Sequence, residues 1–159
     1  MGAPDRRLTH VDERGAARMV DVSAKDVTSR QAVATGRVLV SADVVALLRS
    51  EGVPKGDALG VARVAGIMAA KRTPDLVPLC HPLAISGVTV DLVVADDAVE
   101  ITATVRTTDR TGVEMEALTA VAVAGLTVID MVKAVDKRAV ISDVRVLAKS
   151  GGRSGDWTR

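Results

Sequence analysis

The chain has 159 residues, 21 Lys plus Arg against 20 Asp plus Glu for a net charge of +1, a single Trp, and no Phe or Tyr. That length suits one domain with a real core. The missing rings exclude modules that stack bases on Phe or Tyr and exclude an aromatic membrane belt, while the balanced charge argues against a broad phosphate-backbone surface.

The apolar half of the chain is small: 28 Val and 24 Ala, with Trp157 two residues from the end, so the expected core is aliphatic. The uncharged stretch Ala117 to Ile129 falls short of the ~20 residues a spanning helix needs and reads as a buried helix. No apolar h-region marks the N-terminus as a secretory signal, and Arg6 stands where N-myristoylation wants Ser or Thr. One cysteine, Cys80, cannot close an internal disulfide, which points to a reducing compartment and a cytoplasmic location.

Residues 1–17 are polar and aperiodic and read as a flexible arm, 18–149 as the folded domain, and 150–159 as a Gly-rich flexible tail. A strand is predicted over 34–40, with Gly36, Val38 and Val40 on one face. Ser41 then caps a short helix carrying Val44, Val45, Leu47 and Leu48, ending at Gly52 before Pro54. A second helix starts near Asp57 and places Val61, Val64, Ala65, Met68 and Ala69 at helical spacing. Pro74, Pro78 and Pro82 predict a non-helical segment after it.

Two strands with period-2 alternation follow, Val88 to Val94 and Val99 to Val105, joined at Asp96-Asp97 as a hairpin. A long helix is predicted from about Thr111 to Val135 and a last strand over about 140–148. This order is that of an α+β ferredoxin-like plait, an antiparallel sheet with helices packed on one face, carrying one extra helix. Small residues recur in the two main helices (Ala62, Gly66, Ala70; Ala117, Ala120, Ala124, Gly125). They allow close backbone approach but bury little area each, so oligomerisation is expected to supply the rest.

Three polar groups stand out. In Pro78-Leu79-Cys80-His81-Pro82 the prolines stiffen an extended segment, readable as a plain connector or as a site in which His81 binds or protonates near neutral pH. Only His10 offers another N ligand, so no metal site is expected. On the long helix Asp130 and Lys133 are spaced i,i+3, with Lys137 a further turn along and Glu116 fourteen residues earlier on the same side. That stripe is either a solvated ion-pair edge or a carboxylate–ammonium acid–base pair. Fourteen helical residues span ~21 Å, so Glu116 and Asp130 of one chain cannot grip the same small reacting group. Thr111-Gly112-Val113-Glu114 reads as a capping box, which gives Glu114 a structural role that competes with ligand binding. Finally, Lys55-Gly56-Asp57 before a helix and Lys149 to Gly155 offer amides and cations to an anion, or else a frayed tail.

The strings MVDVSAKDVTSR (19–30), KGDALGVARVAGIMAAKRT (55–73), LCHP (79–82), TGVEMEALTA (111–120), DMVKAVDK (130–137) and LAKSGGRSGD (147–156) together resemble the cyclic pyranopterin monophosphate synthases, the molybdenum cofactor biosynthesis protein C family. The resemblance runs collinearly over about residues 8–156. It implies a cofactor-independent lyase in a homohexamer, a trimer of dimers with active sites at subunit interfaces. The implied substrate is 3′,8-cyclo-7,8-dihydroguanosine 5′-triphosphate, made by an upstream radical S-adenosylmethionine enzyme. The implied products are cyclic pyranopterin monophosphate and pyrophosphate, with neither nucleic acid nor membrane as partner.

Residue by residue, the resemblance makes Asp130, Lys55 and Lys133 catalytic. It makes Leu79, Cys80, His81, Glu114, Met115, Glu116, Lys149 and Arg153 substrate-binding, with Lys25, Arg30 and Arg63 in matching motifs. Ile129 and Val132 depart from residues common in the family, Arg153 stands where Lys is also common, and none of the three removes a charge. From composition and spacing alone, an oligomeric small-molecule sensor of the same fold is the competing reading.

Overall fold

The computed structural model describes residues 6–50 and 57–159, so Gly52, Pro54, Lys55 and Gly56 of the sequence readings lie outside the described residues. Strand β1, Thr28–Leu39, turns Ala32, Ala34, Gly36 and Val38 inward at alternate positions. Helix α1, Ala42–Arg49, begins where Ser41 Oγ accepts from Val44 N at 3.4 Å. Helix α2, Ala58–Lys71, is capped by Asp57, whose Oδ1 accepts from Gly60 N at 2.8 Å. Both caps are polar side chains that satisfy amides left unpaired in a first turn.

The proline-rich stretch is not wholly non-helical. A short helix α3, Thr73–Leu76, holds Pro74 in its first turn. A proline costs no intrahelical bond there, because that amide has no partner to lose. Strands β2, Ile85–Val94, and β3, Ala98–Asp109, form the predicted hairpin and extend it at its open end.

Helix α4, Glu114–Val132, is shorter than its sequence pattern at both ends. Val113 is its N-cap, and no side chain caps it. Thr111 Oγ1 instead donates to Gly112 O at 3.3 Å, so the predicted capping box does not form. At the far end Lys133 is the C-cap, so Lys137 lies in a turn beyond the helix and does not continue its stripe. Strand β4, Val140–Ser150, and a two-residue strand β5, Trp157–Thr158, complete the sheet.

All neighbouring strands pair antiparallel in the order β2-β3-β1-β4-β5, and the first four strands are the ferredoxin-like arrangement. Helix α4 packs on β1, β3 and β4 and against α2, which packs on β2. Ile101 heads the fully buried side chains by volume, followed by valines, so this core is built from small aliphatics. Close approach of the two main helices makes up for that. A Cβ on Gly66 would sit 2.9 Å from Ala120 O and 3.2 Å from Ala124 Cβ. By length and composition α4 passes for a membrane span, yet Glu116, Ala117, Ala120, Val121, Ala124, Gly125, Val128 and Val132 are buried in the core.

Candidate active site

The N-terminal end of α4 carries two carboxylates in its first turn, Glu114 and Glu116, where unpaired helix amides favour negative charge. Glu116 is also the buried one, only 3% exposed, with no hydrogen-bond partner for Oε2. Burial outweighs the helix end. Desolvation first, then the neighbouring Glu114 charge, push the Glu116 carboxyl up to about 7, against the opposing pull of its own backbone amide.

The segment Leu79–His81 is brought to the same place from the end of α3. Cys80 N donates to Val77 O at 3.1 Å, and Val77 N to Thr73 O at 2.8 Å. Downstream, Thr107 Oγ1 donates to Ala84 O at 2.7 Å and Ala84 N donates to Asp109 Oδ2 at 3.2 Å. The stiff Pro78–Pro82 stretch is thus pinned at both ends. Burial raises the Cys80 thiol above its ordinary value and the Glu116 charge adds to this, so Cys80 is a poor nucleophile.

These elements enclose a cavity of about 250 Å³ lined by Leu79, Cys80 and His81 and by Glu114, Met115 and Glu116, joined by Thr9, His10, Val20, Val22, Lys25, Thr111 and Gly112. All six residues predicted from the LCHP and EME strings therefore converge. Its apolar walls, its imidazoles and a neutral-to-anionic carboxyl suit a polar heterocycle.

Lys25 also lines a second cavity of about 510 Å³, together with Ala24, Asp26, Thr28, Arg30, Gly152, Arg153 and Ser154. Arg30 is fixed there by donation to Asp109 O at 3.1 Å and Arg110 O at 3.2 Å. Gly151 and Gly152 take φ of 82° and 80°, and Cβ atoms on them would run into Ser29 O and the Arg30 guanidinium. Only glycine allows this approach of the loop to β1. Lys149 stands between the cavities: its Nζ is 3.7 Å from Glu114 Oε1 and donates to Ser154 Oγ. Cations and glycine-rich backbone in one groove fit a polyphosphate.

Other predicted residues are not brought here. Asp130 and Lys133 pair at 2.6 Å, with side chains 61% and 59% exposed, near the opposite end of α4 and lining neither cavity. Their pairing is the predicted one, while within one chain it is a solvated pair. Arg63 donates to Val90 O at 2.9 Å and holds α2 to β2. Lys55 lies outside the described residues. Among the described residues, no three His, Cys, Asp or Glu side chains come close enough to hold a metal ion.

Sequence reasoning missed Thr9 and His10 as lining residues, because residues 1–17 carry no strand or helix signal, and Val20 and Val22, which are apolar and carry no chemical mark. The Asp-Glu-Arg-Gly string at 12–15 was the available clue to a turn there.

The sequence profile of the MoaC family matches residues 19–152. The chain is 79% identical over 156 residues to the cyclic pyranopterin monophosphate synthase of Streptomyces coelicolor, covering 98% of this chain and 92% of the relative. It is 75% identical over 162 residues to the enzyme of that name from Nocardioides sp., covering 100% and 99%. With cyclic pyranopterin monophosphate synthase 2 of Mycobacterium tuberculosis it shares 65% over 161 residues, covering 99% and 96%.

Proposed function

The chain belongs to the MoaC family, and from that premise we propose that it is a cyclic pyranopterin monophosphate synthase acting in molybdenum cofactor biosynthesis. It converts 3′,8-cyclo-7,8-dihydroguanosine 5′-triphosphate to cyclic pyranopterin monophosphate and pyrophosphate. The observation that carries this reading is the convergence of Leu79–His81 with Glu114–Glu116 on one cavity, joined through Lys25 to a cationic groove. The heterocycle takes the first cavity and the triphosphate takes the second, where Arg30, Lys149 and Arg153 offset charge as pyrophosphate leaves.

Ring opening and reclosure move several protons, and Asp130 with Lys133 and Lys55 supply acid and base. Since Asp130 lies ~21 Å along α4 from Glu116, a complete site takes the pair from a second copy of the chain. An apolar stripe on the outer face of α2, Val61, Val64 and Met68, each about half exposed, supports association. The assembly is a homohexamer built as a trimer of dimers, working in the cytoplasm downstream of a radical S-adenosylmethionine enzyme. In this reading 18–149 is the catalytic domain, and the Gly-rich tail 150–159, held to β4 through Trp157–Thr158, covers the phosphates.

The test is direct. Incubation with the cyclic dihydroguanosine triphosphate should release one pyrophosphate per substrate and leave a pterin that fluoresces after oxidation. Recovery of unchanged triphosphate from a tight complex would instead identify a binding protein.

A further inference from the structure

The segment preceding Met19, outside the residues matched by the family profile, supplies part of the heterocycle cavity. Thr9 and His10 reach it from a small hairpin. Val11 pairs with Ala17, Asp12 N donates to Ala16 O at 2.9 Å, and Arg18 N donates to His10 O at 2.9 Å. The turn is built by Asp12, whose Oδ1 accepts from Arg14 N and Ala16 N at 2.9 Å each, and by Gly15, whose φ of 81° suits glycine. Arg18 Nε crosses the hairpin to Thr9 O at 3.3 Å. The carbonyls of Thr9 and His10 are therefore both engaged, and the imidazole projects from a backbone fixed by local bonds rather than from a loose arm.

Glu116, which lines the cavity, also carries an unsatisfied buried atom. Glu116 Oε2 is buried without a partner, a state that costs free energy until something hydrogen-bonds to it. A flat heterocycle that satisfies Glu116 along one edge still carries donors and acceptors along its other edges. Among the described lining residues, the hairpin contributes two side chains able to meet them, the Thr9 hydroxyl and the His10 imidazole.

We propose that His10 is a further substrate-binding residue, hydrogen-bonding the purine-derived heterocycle while the 8–18 hairpin walls the cavity around it. This rests on the functional reading above, which places the heterocycle in this cavity.

Steady-state pyrophosphate release and calorimetric substrate binding by wild type, His10→Ala, His10→Gln and Asp12→Ala test it. His10→Ala should raise KM and Kd about tenfold, the loss of one hydrogen bond to a desolvated group, with kcat within about twofold. Glutamine keeps a donor and an acceptor and should bring KM back to within about threefold. Asp12→Ala, which loosens the turn, should raise KM in the wild type but add under about twofold to His10→Ala, because both act through one contact. An unchanged KM in His10→Ala overturns the proposal. So does failure of glutamine to rescue together with a lowered melting temperature, since that marks a purely structural histidine. A wild type that neither binds nor converts the triphosphate defeats the functional reading and this inference with it. A normal wild type beside an unaltered His10→Ala defeats the inference alone.

Discussion

Lys149 Nζ lies 3.7 Å from Glu114 Oε1, and this contact ties the end of β4 to the first turn of the core helix. Lys149 is paired on β4 between Ala32 of β1 and Trp157 of β5, so its backbone is held from both sides. Glu114 opens α4 and lines the cavity shared with Leu79–His81, while Ser154, which accepts from Lys149 Nζ, lines the cationic one. One ammonium group thus borders both halves of the site. With side chains 25% and 30% exposed, the pair is partly screened and is worth little in stability. A polyphosphate with several anionic oxygens can displace it.

Lys149→Gln should therefore leave the melting temperature within about 2 °C and lower kcat/KM for the triphosphate by about 10- to 100-fold. The loss should shrink as ionic strength rises, because salt already screens the wild-type attraction. Pyrophosphate release measured at low and high salt checks both statements.

Glu116 makes stability depend on pH. Unfolded, its carboxyl ionises near 4.5, while folded it keeps its proton up to about 7. Between those values the folded chain binds a proton that the unfolded chain does not, so this group's contribution to stability falls as pH rises through that window and is level above it. The contribution lost across that window is on the order of 2–3 kcal/mol. Glu116→Gln removes the titration. Its denaturation midpoint should gain on that of wild type between pH 5 and pH 8 by about that amount, and a constant difference across that range would count against the buried carboxyl.

Much of the fold was legible because it rests on period and caps. The alternation of Val88 to Val94 and Val99 to Val105 could bury only one face, and Ser41 and Asp57 cap the helices they were expected to start. The errors came where local chemistry has two solutions. Thr111 and Glu114 have capping-box spacing, but Glu114 faces Lys149, which follows it by 35 positions and is invisible to local pattern. Lys137 continues the numerical stripe of Asp130 and Lys133, yet the helix has already ended at Val132. Pro74 breaks helices in general and fits the first turn of this one. In the site, His81 and Glu116 stood out from the residues themselves, and the resemblance added Leu79, Cys80, Glu114 and Met115. The burial of Glu116 and the arrival of His10 depend on tertiary packing that no window of sequence reports.

Gly66 tests how tightly the lean core is packed. A methyl added there meets the Ala120 carbonyl at 2.9 Å, and a helix backbone cannot yield as a flexible side chain can. Gly66→Ala should destabilise by about 1–3 kcal/mol despite alanine's better helix propensity. Gly87→Ala, whose added methyl meets nothing within 4 Å, should stay within about 0.5 kcal/mol of wild type. Urea midpoints of the two variants separate the cases.

The last prediction concerns the proposed acid–base pair. Asp130 and Lys133 sit at 2.6 Å from each other, and fourteen helical residues, ~21 Å, separate Asp130 from Glu116. Asp130→Asn should lower turnover by more than about 10³-fold while the triphosphate still binds within about threefold, since it removes a proton-transfer group and leaves both cavities intact. Glu116→Gln should also be nearly inactive, through loss of heterocycle recognition. If one site draws Glu116 from one subunit and Asp130 from another across a two-fold axis, a mixed dimer of the two variants contains one doubly altered site and one fully native site. Unfolding and reassembling the variants together at equal concentration should then restore about a quarter of wild-type activity, because half of the dimers are mixed and half of their sites are native. Activity no higher than that of either variant alone would place the whole reaction within one chain, which the length of α4 argues against.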